Sequence, residues 1–278
     1  VSFADEEILH DINFEIRNLV KKYNIPISEE LLLVLDNCVE KKVKYNGSND
    51  WADIQIPKLN KIESILLDFK KGMKDENIEE LNSTIRALNY LSKYTYFVQN
   101  HYTQDRDLKM FENAKWIIDN MSKNGKAFIW AHNEHINNWN AGNYSIRNIY
   151  NLGRHLKEYY KNDYYSVGFD FGTGKLWGYY SNKDEKPSWK AYELKEPFAK
   201  TYAKTLFEAR EEIYFIDMAK ALNGNSSNFF LKKTKQLTYG AGGFNPNVNN
   251  LWQKKFSEMY DGLIFVKNIT KTTFLSTK

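Results

Sequence analysis

The chain has 278 residues, of which 42% are hydrophobic, and its 39 basic and 35 acidic side chains give a formal net charge of +4. Charges so nearly balanced, and spread along the whole length, argue against a nucleic-acid binder. No stretch approaches the ~18 consecutive apolar residues of a membrane span. The chain therefore reads as soluble, and its length suffices for one large or two medium domains with a full core.

The first third is helical in pattern. Over residues 6–23, Ile8, Ile12, Ile16, Leu19 and Val20 recur at helical spacing, and Pro26 closes the run. Ser28, Glu29, Glu30 and Leu31 form a capping-box-like start to a second helix, expected to reach about residue 43. Asn46-Gly47-Ser48-Asn49-Asp50 breaks the pattern. A third helix is expected over 58–71 and a long fourth over 76–103, with Ile78, Leu81, Ile85, Leu88, Leu91, Thr95 and Val98 as its packing stripe. Residues 1–104 are thus expected to form a helical bundle or lid. Cys38 is the only cysteine and sits beside apolar neighbours, which makes it a core hydrophobe rather than a reactive thiol. No internal disulfide can form, which fits a cytoplasmic protein and leaves export open. His10 and His101 have no metal-ligand neighbours at short spacing. Val1 opens the chain without methionine or a signal-like segment, as a trimmed or processed product would.

From residue 105 the texture changes. An amphipathic helix begins near Arg106 and places Leu108, Phe111, Ala114, Ile117, Ile118 and Met121 toward a core, stopping at Asn124-Gly125. Its other side carries Arg106, Met110 and Asn113. The sequence KAFIWAHNEH at 126–135 follows, in which Phe128, Ile129 and Trp130 read as a buried strand that ends in polar residues. A helix is expected over 145–160. Strands are expected at 164–170, at 175–180 after a Gly172-Thr173-Gly174 turn, and at 189–194, 213–217, 229–232 and 262–266. Helices between strands imply an α/β domain over 105–278, with a mostly parallel sheet and flanking helices.

Ligands in such sheets gather at the carboxyl ends of strands, so His132, Asn133, Glu134 and His135 become the candidate site. If they begin a helix, His132 and His135 fall on one face. The zincin pattern H-E-x-x-H is not matched by H-N-E-H, and no metal is expected, although a two-histidine site completed by distant carboxylates stays open. Structural histidines at a strand end, or acid-base work in a polar pocket, are the other readings. Glu134 could orient a histidine or point to solvent.

Three motifs in order and spacing resemble the erythromycin esterase family: Arg106-Asp107-x-x-Met110 with Glu112-Asn113; Ile129-Trp130-Ala131-His132-Asn133-x-His135; and Val167-Gly168-Phe169-Asp170-Phe171 with Gly172 and Gly174. The ending Tyr260-Asp261-Gly262-Leu263-Ile264-Phe265 is similar to that family's terminal strand. The resemblance implies hydrolysis of a carboxylic ester, a macrolide lactone in the best-known members, by water and with neither metal nor cofactor. It implies that His132 and His135 act in the site, with Arg106 and Asn133 as polar supports, and that a small-molecule ester is the partner.

One departure matters. The family's G-E-x-x-H-G element, which carries the base, is absent from this sequence. The chain is therefore expected to supply part of a site, with its own missing N-terminal segment as a candidate for the remainder, and to leave an unpaired sheet edge and apolar faces. Two other classes remain: a non-catalytic binding protein for haem or a glycan-like ligand, suited by the 15% aromatic content, and a helical interaction module built on residues 1–104.

Overall fold

The computed structural model describes residues 6–39, 51–74, 77–99, 106–138, 150–182, 185–238 and 251–273. The Asn46–Asp50 break, His101, the end of the long helix at residue 103 and the expected helix start at residue 145 lie outside them. The chain divides into two compact units, Val1–Asn120 and Met121–Lys278, whereas the change of texture in the sequence falls at residue 105.

The first unit is built from α1 (Glu6–Lys22), α2 (Glu29–Val39), α3 (Trp51–Lys70), α4 (Ile78–Gln99) and α5 (Arg106–Met121). The apolar stripe of α1 buries Ile12, Ile16 and Leu19 against Leu32 and Leu35 of α2, Leu59, Ile62 and Leu66 of α3, and Leu81, Leu88 and Leu91 of α4. Each such side chain contributes about 1.5–3 kcal/mol on burial, and the stripes could be read from spacing because water excludes them together. Asn24 turns the chain out of α1 with φ of 49°, a left-handed position that asparagine tolerates. Ser28 then accepts from the Leu31 N–H at 3.2 Å and opens α2. Arg17 ties the two helices, donating to Asp36 at 2.7 Å and to the Leu32 carbonyl at 3.1 Å. Helix α3 starts earlier than expected and contains Pro57; the hydrogen bond that proline removes is offset by buried Ala52, Leu59 and Ile62 on either side. Cys38 belongs to this core, and burial pushes its thiol up to about 11.

The second unit contains α6 (Asn133–Ile136), α7 (Leu152–Tyr160), β1 (Val167–Asn182), β2 (Glu185–Leu194), α8 (Tyr202–Leu206), β3 (Ile213–Asp217), α9 (Met218–Asn223), α10 (Ser227–Leu231), β4 (Thr234–Leu237), β5 (Leu251–Lys254), α11 (Phe256–Met259) and β6 (Gly262–Ile269). Four strands form one sheet in the order β2-β1-β6-β3, and β4 pairs with β5. The sheet is not mostly parallel: β1 and β6 are parallel, but β1–β2, β3–β6 and β4–β5 are antiparallel. For the β1–β2 pair the cause is the length of β1. Residues 164–170 and 175–180, expected as two strands joined by a glycine turn, fall largely in one strand, which runs past β6 and then pairs with β2. Gly172 and Gly174 serve close approach instead of a turn. A Cβ on Gly172 would strike the Phe207 ring, and one on Gly174, whose φ is 131°, would strike the Ile269 carbonyl.

Alternation along the strands sorts the two faces. Gly168 and Asp170 of β1 align with Leu263 and Phe265 of β6 on the face covered by Tyr202, Leu206, Met218, Phe256, Met259 and Tyr260. Tyr202 stacks on Phe256 with ring centroids 3.9 Å apart. On the opposite face Phe169 and Phe215 stay exposed. Two strand expectations fail here. Residues 229–232 lie largely in α10, because a short apolar run does not distinguish a strand from a buried helical turn. Residues 128–130 are in no sheet: Phe128 is 84% and Trp130 76% exposed. Their rings meet one another at 6.2 Å, and Trp130 meets Phe169 at 5.5 Å. No described strand pairs with this segment.

Candidate functional site

The four residues of α6 and the cap before it carry the histidine pair. His132 is the N-cap, with φ −62° and ψ 147°, and its Nδ1 accepts from the Glu134 N–H at 3.2 Å. The His132 carbonyl accepts from the His135 N–H at 2.8 Å, which closes the turn and sets the two imidazoles three residues apart on it.

So short a helix has little stability of its own. Side chains from elsewhere in the unit fix it. Asn133 donates through Nδ2 to the Phe169 carbonyl at 2.6 Å and accepts the Phe169 N–H at 3.0 Å, so its amide imitates one rung of a β-ladder on β1. The Glu134 carbonyl accepts from Asn137 at 3.1 Å and Asn151 at 2.8 Å, and Asn151 also caps α7 by accepting the Arg154 N–H at 2.9 Å. Tyr164 and Ser166 both donate to the Ile136 carbonyl, at 2.5 and 2.7 Å; burial pushes the Tyr164 hydroxyl up to about 12. Gly153 lets α7 approach so closely that a Cβ there would collide with the Ile136 and Asn137 carbonyls. Beyond the helix, the Asn138 N–H reaches the Met259 carbonyl at 2.7 Å and its side chain reaches Asp261 at 3.2 Å.

The same turn adjoins a buried polar cluster. The Glu134 carboxylate pairs with the Lys254 ammonium, whose side chain is 3% exposed against 23% for Glu134. Lys254 closes β5, across the unit in sequence. Asp170 is buried on β1, and burial raises its carboxyl to about 7; the Phe171 N–H, the Gln236 side chain and the Lys254 charge oppose that rise only in part. Tyr260 is held well above its ordinary value, first by burial and then by the Glu134 and Asp170 carboxylates. An imidazole pair on a turn tied to such a cluster has the groups for acid-base or electrostatic work at a polar bond.

The sequence-derived candidates are therefore brought together unevenly. His132, Asn133, Glu134 and His135 share one turn, and Glu134 holds a lysine and does not point to solvent. Arg106 is the first residue of α5, in the other unit, half-buried. In that helix Asn113 accepts from Arg86 at 2.5 Å and Glu112 pairs with Lys93 at 3.1 Å and Lys109 at 2.9 Å, contacts internal to the helical unit. Sequence reasoning does not reach Lys254, Asp170, Asn151 or Gln236 as site residues. Only Asp170 leaves a signal, as an acid at an inward position of an apolar strand; nothing near Lys254 in the sequence marks it. Among the described residues no group of three or more His, Cys, Asp and Glu side chains is placed to hold a metal ion, and no described helix is long and apolar enough to cross a membrane.

Fold and site together define an α/β unit that presents a short histidine-bearing helix against the first strand of its sheet. The chain belongs to the erythromycin esterase family, whose model matches residues 49–269. It is 24% identical over 173 residues to "Putative hydrolase YbfO" of Bacillus subtilis (strain 168), a match that covers 61% of this chain and 36% of that protein. Among solved structures it resembles a Bacillus cereus protein, with a TM-score of 0.73 at 19% identity over 94% of this chain and 64% of the other. A succinoglycan biosynthesis protein gives 0.63 at 17% identity, over 93% and 62%. The chain thus spans about a third of the curated relative and less than two thirds of each structural neighbour.

Proposed function

We propose that this chain is part of a hydrolase that cleaves a carboxylic ester or macrolide-type lactone by attack of water, without a metal. His132 and His135 would act on the reacting bond, with Asn133 and Glu134 holding them. The rest of the site, including the base, would come from polypeptide outside these 278 residues. The observation that carries this proposal is the extent to which α6 is fixed. Bonds from β1, from Asn151, Tyr164 and Ser166, and the ion pair to β5 would be excessive for a structural turn but suit a catalytic one, which needs preorganised groups. Family membership supports the reaction class. The chain's coverage of only part of its relatives, the exposed Trp130 and Phe128, and the side-chain rung that Asn133 adds to β1 at Phe169 where no described strand pairs support a site completed by further chain.

The test is ester and lactone hydrolysis by the complete gene product. His132→Ala should lower turnover by ~10²-fold or more with the fold intact, the scale of a positioned acid-base group. Wild-type turnover in that variant would return His132 to a structural role, and full activity in the isolated 278 residues would remove the need for a second half.

A second reading, a glycan-binding protein without catalysis, has one observation in its favour: the ring cluster of Phe128, Trp130 and Phe169 lies open to solvent, as sugar-stacking surfaces do. The succinoglycan biosynthesis protein among the structural neighbours points the same way. Saturable binding of an oligosaccharide, abolished by Trp130→Ala and untouched by His132→Ala, would establish it over the hydrolase.

A further inference from the structure

Four observations converge on the N-terminal end of α6. The first is the ring of His132, whose Nδ1 accepts the Glu134 N–H at 3.2 Å. An imidazole nitrogen that accepts a hydrogen bond carries no hydrogen, so in the neutral ring the hydrogen resides on Nε2. The second is that this N–H belongs to the residue whose carboxylate pairs with Lys254. The third is that the carbonyl of the same residue is held by Asn137 and Asn151, so Glu134 is fixed at both its carbonyl and its side chain. The fourth is the depth of Lys254, which is 3% exposed on its side chain. Burying an ammonium is costly unless it is paired, and an apolar pair in place of Lys254 and Glu134 would often be no less stable, so stability alone does not account for the ion pair.

We infer that Lys254 is a positioning residue for His132: by clamping Glu134 it aims the backbone N–H that commits Nδ1, and so holds the neutral ring with its hydrogen on Nε2. The ring then offers a hydrogen-bond donor at Nε2, suited to a developing negative charge on a carbonyl oxygen, and it does not take a proton from water through Nδ1. The role toward a carbonyl rests on the hydrolase proposal above; the state of the ring does not.

Two sets of variants separate these roles. The first readout is the 15N spectrum of the His132 ring at a pH where it is neutral, with His132→Ala giving the assignment. The wild type should show Nδ1 as the unprotonated nitrogen. In Lys254→Met the two ring nitrogens should move toward the averaged values of exchanging tautomers. Should the unpaired Glu134 carboxylate prevent folding, Lys254→Met combined with Glu134→Gln removes both charges and gives the same readout. A hydrogen on Nδ1 in the wild type would overturn the inference. Ring signals unchanged in the folded Lys254 variants would overturn it equally, leaving Lys254 as packing alone.

The second readout is turnover in the complete gene product. Asparagine is a favoured N-cap, so His132→Asn keeps an acceptor for the Glu134 N–H while removing Nε2. His132→Gln places an amide nitrogen near the Nε2 position. The expected result is a loss of ~10²-fold or more in kcat for the asparagine variant, the scale of a removed oxyanion donor, with partial recovery in the glutamine variant. Wild-type kcat in His132→Asn would reduce His132 to a helix cap and overturn the donor role. If the wild type hydrolyses no ester, the hydrolase proposal fails, and the spectrum still decides the tautomer.

Discussion

Asp170 shows how one residue type can be legible while its behaviour is not. An aspartate in Val167-Gly168-Phe169-Asp170-Phe171 alternates with apolar side chains, so its place in a strand follows from the sequence. Its inward direction, and the raised pKa that follows, depend on β6 and the helices packed there. With the carboxyl raised from 3.8 to about 7, the folded state keeps a proton between those values that the unfolded state has already released. Stability should therefore fall as pH rises through that window and level off above it. Asp170→Asn keeps an acceptor for the Phe171 N–H and removes the titration. Its expected signature is wild-type stability near pH 4 and a gain of a few kcal/mol above pH 7, because each pH step of one between the two values is worth roughly 1.4 kcal/mol. Denaturant melts across pH read it directly. A parallel pH dependence in wild type and variant would show that another group controls stability there. Lys254 is the opposite case. Its charge is visible in any sequence and its burial in none, because the partner, Glu134, stands 120 residues away.

Helices and strands differ in how well local pattern defines them. In α1, α2 and α4 the apolar stripe alone marks the element, since the period of a helix is a property of neighbours three and four apart; α5 forms as expected but buries Asp107, Met110 and Ala114, while Met121 of the expected core face is 68% exposed. The strands fared differently. Residues 213–217 form β3 as expected, and β6 extends the expected 262–266 by three residues. Yet β1 absorbed a presumed turn, and 128–130 are outside any sheet. A strand is defined by what pairs beside it, and Gly172 and Gly174 suit a turn and a close neighbour equally well. Helix α6 is an extreme instance, a single turn shaped by its contacts. Asn133→Ala would remove both bonds to Phe169; because water reaches that edge, the cost should be about 1–2 kcal/mol. Hydrogen exchange at the Phe169 amide is the direct check, and it should quicken well beyond the global change in stability. Protection unchanged at that amide would mean another group covers it.

For the whole chain, the separation into Val1–Asn120 and Met121–Lys278 makes a plain prediction. The helical core draws its buried members from residues 12–94, so a fragment of residues 1–120 should fold alone, with a helical circular dichroism spectrum and cooperative thermal unfolding. A spectrum without cooperative melting would make the helical unit dependent on the remainder. That experiment also addresses whether the helical region can serve as an independent interaction module.

The sequence by itself determined the helices of the first unit, the α/β character of the second, and the family. Each is written locally, in periodicity, caps or a contiguous motif. Only the tertiary structure decided the mixed direction of the sheet, the exposure of Trp130, the burial of Asp170, and the Lys254 contact that fixes Glu134. Those depend on which distant segments share a dry interior, and pairing between residues so far apart in the chain leaves no mark on the neighbours of either partner.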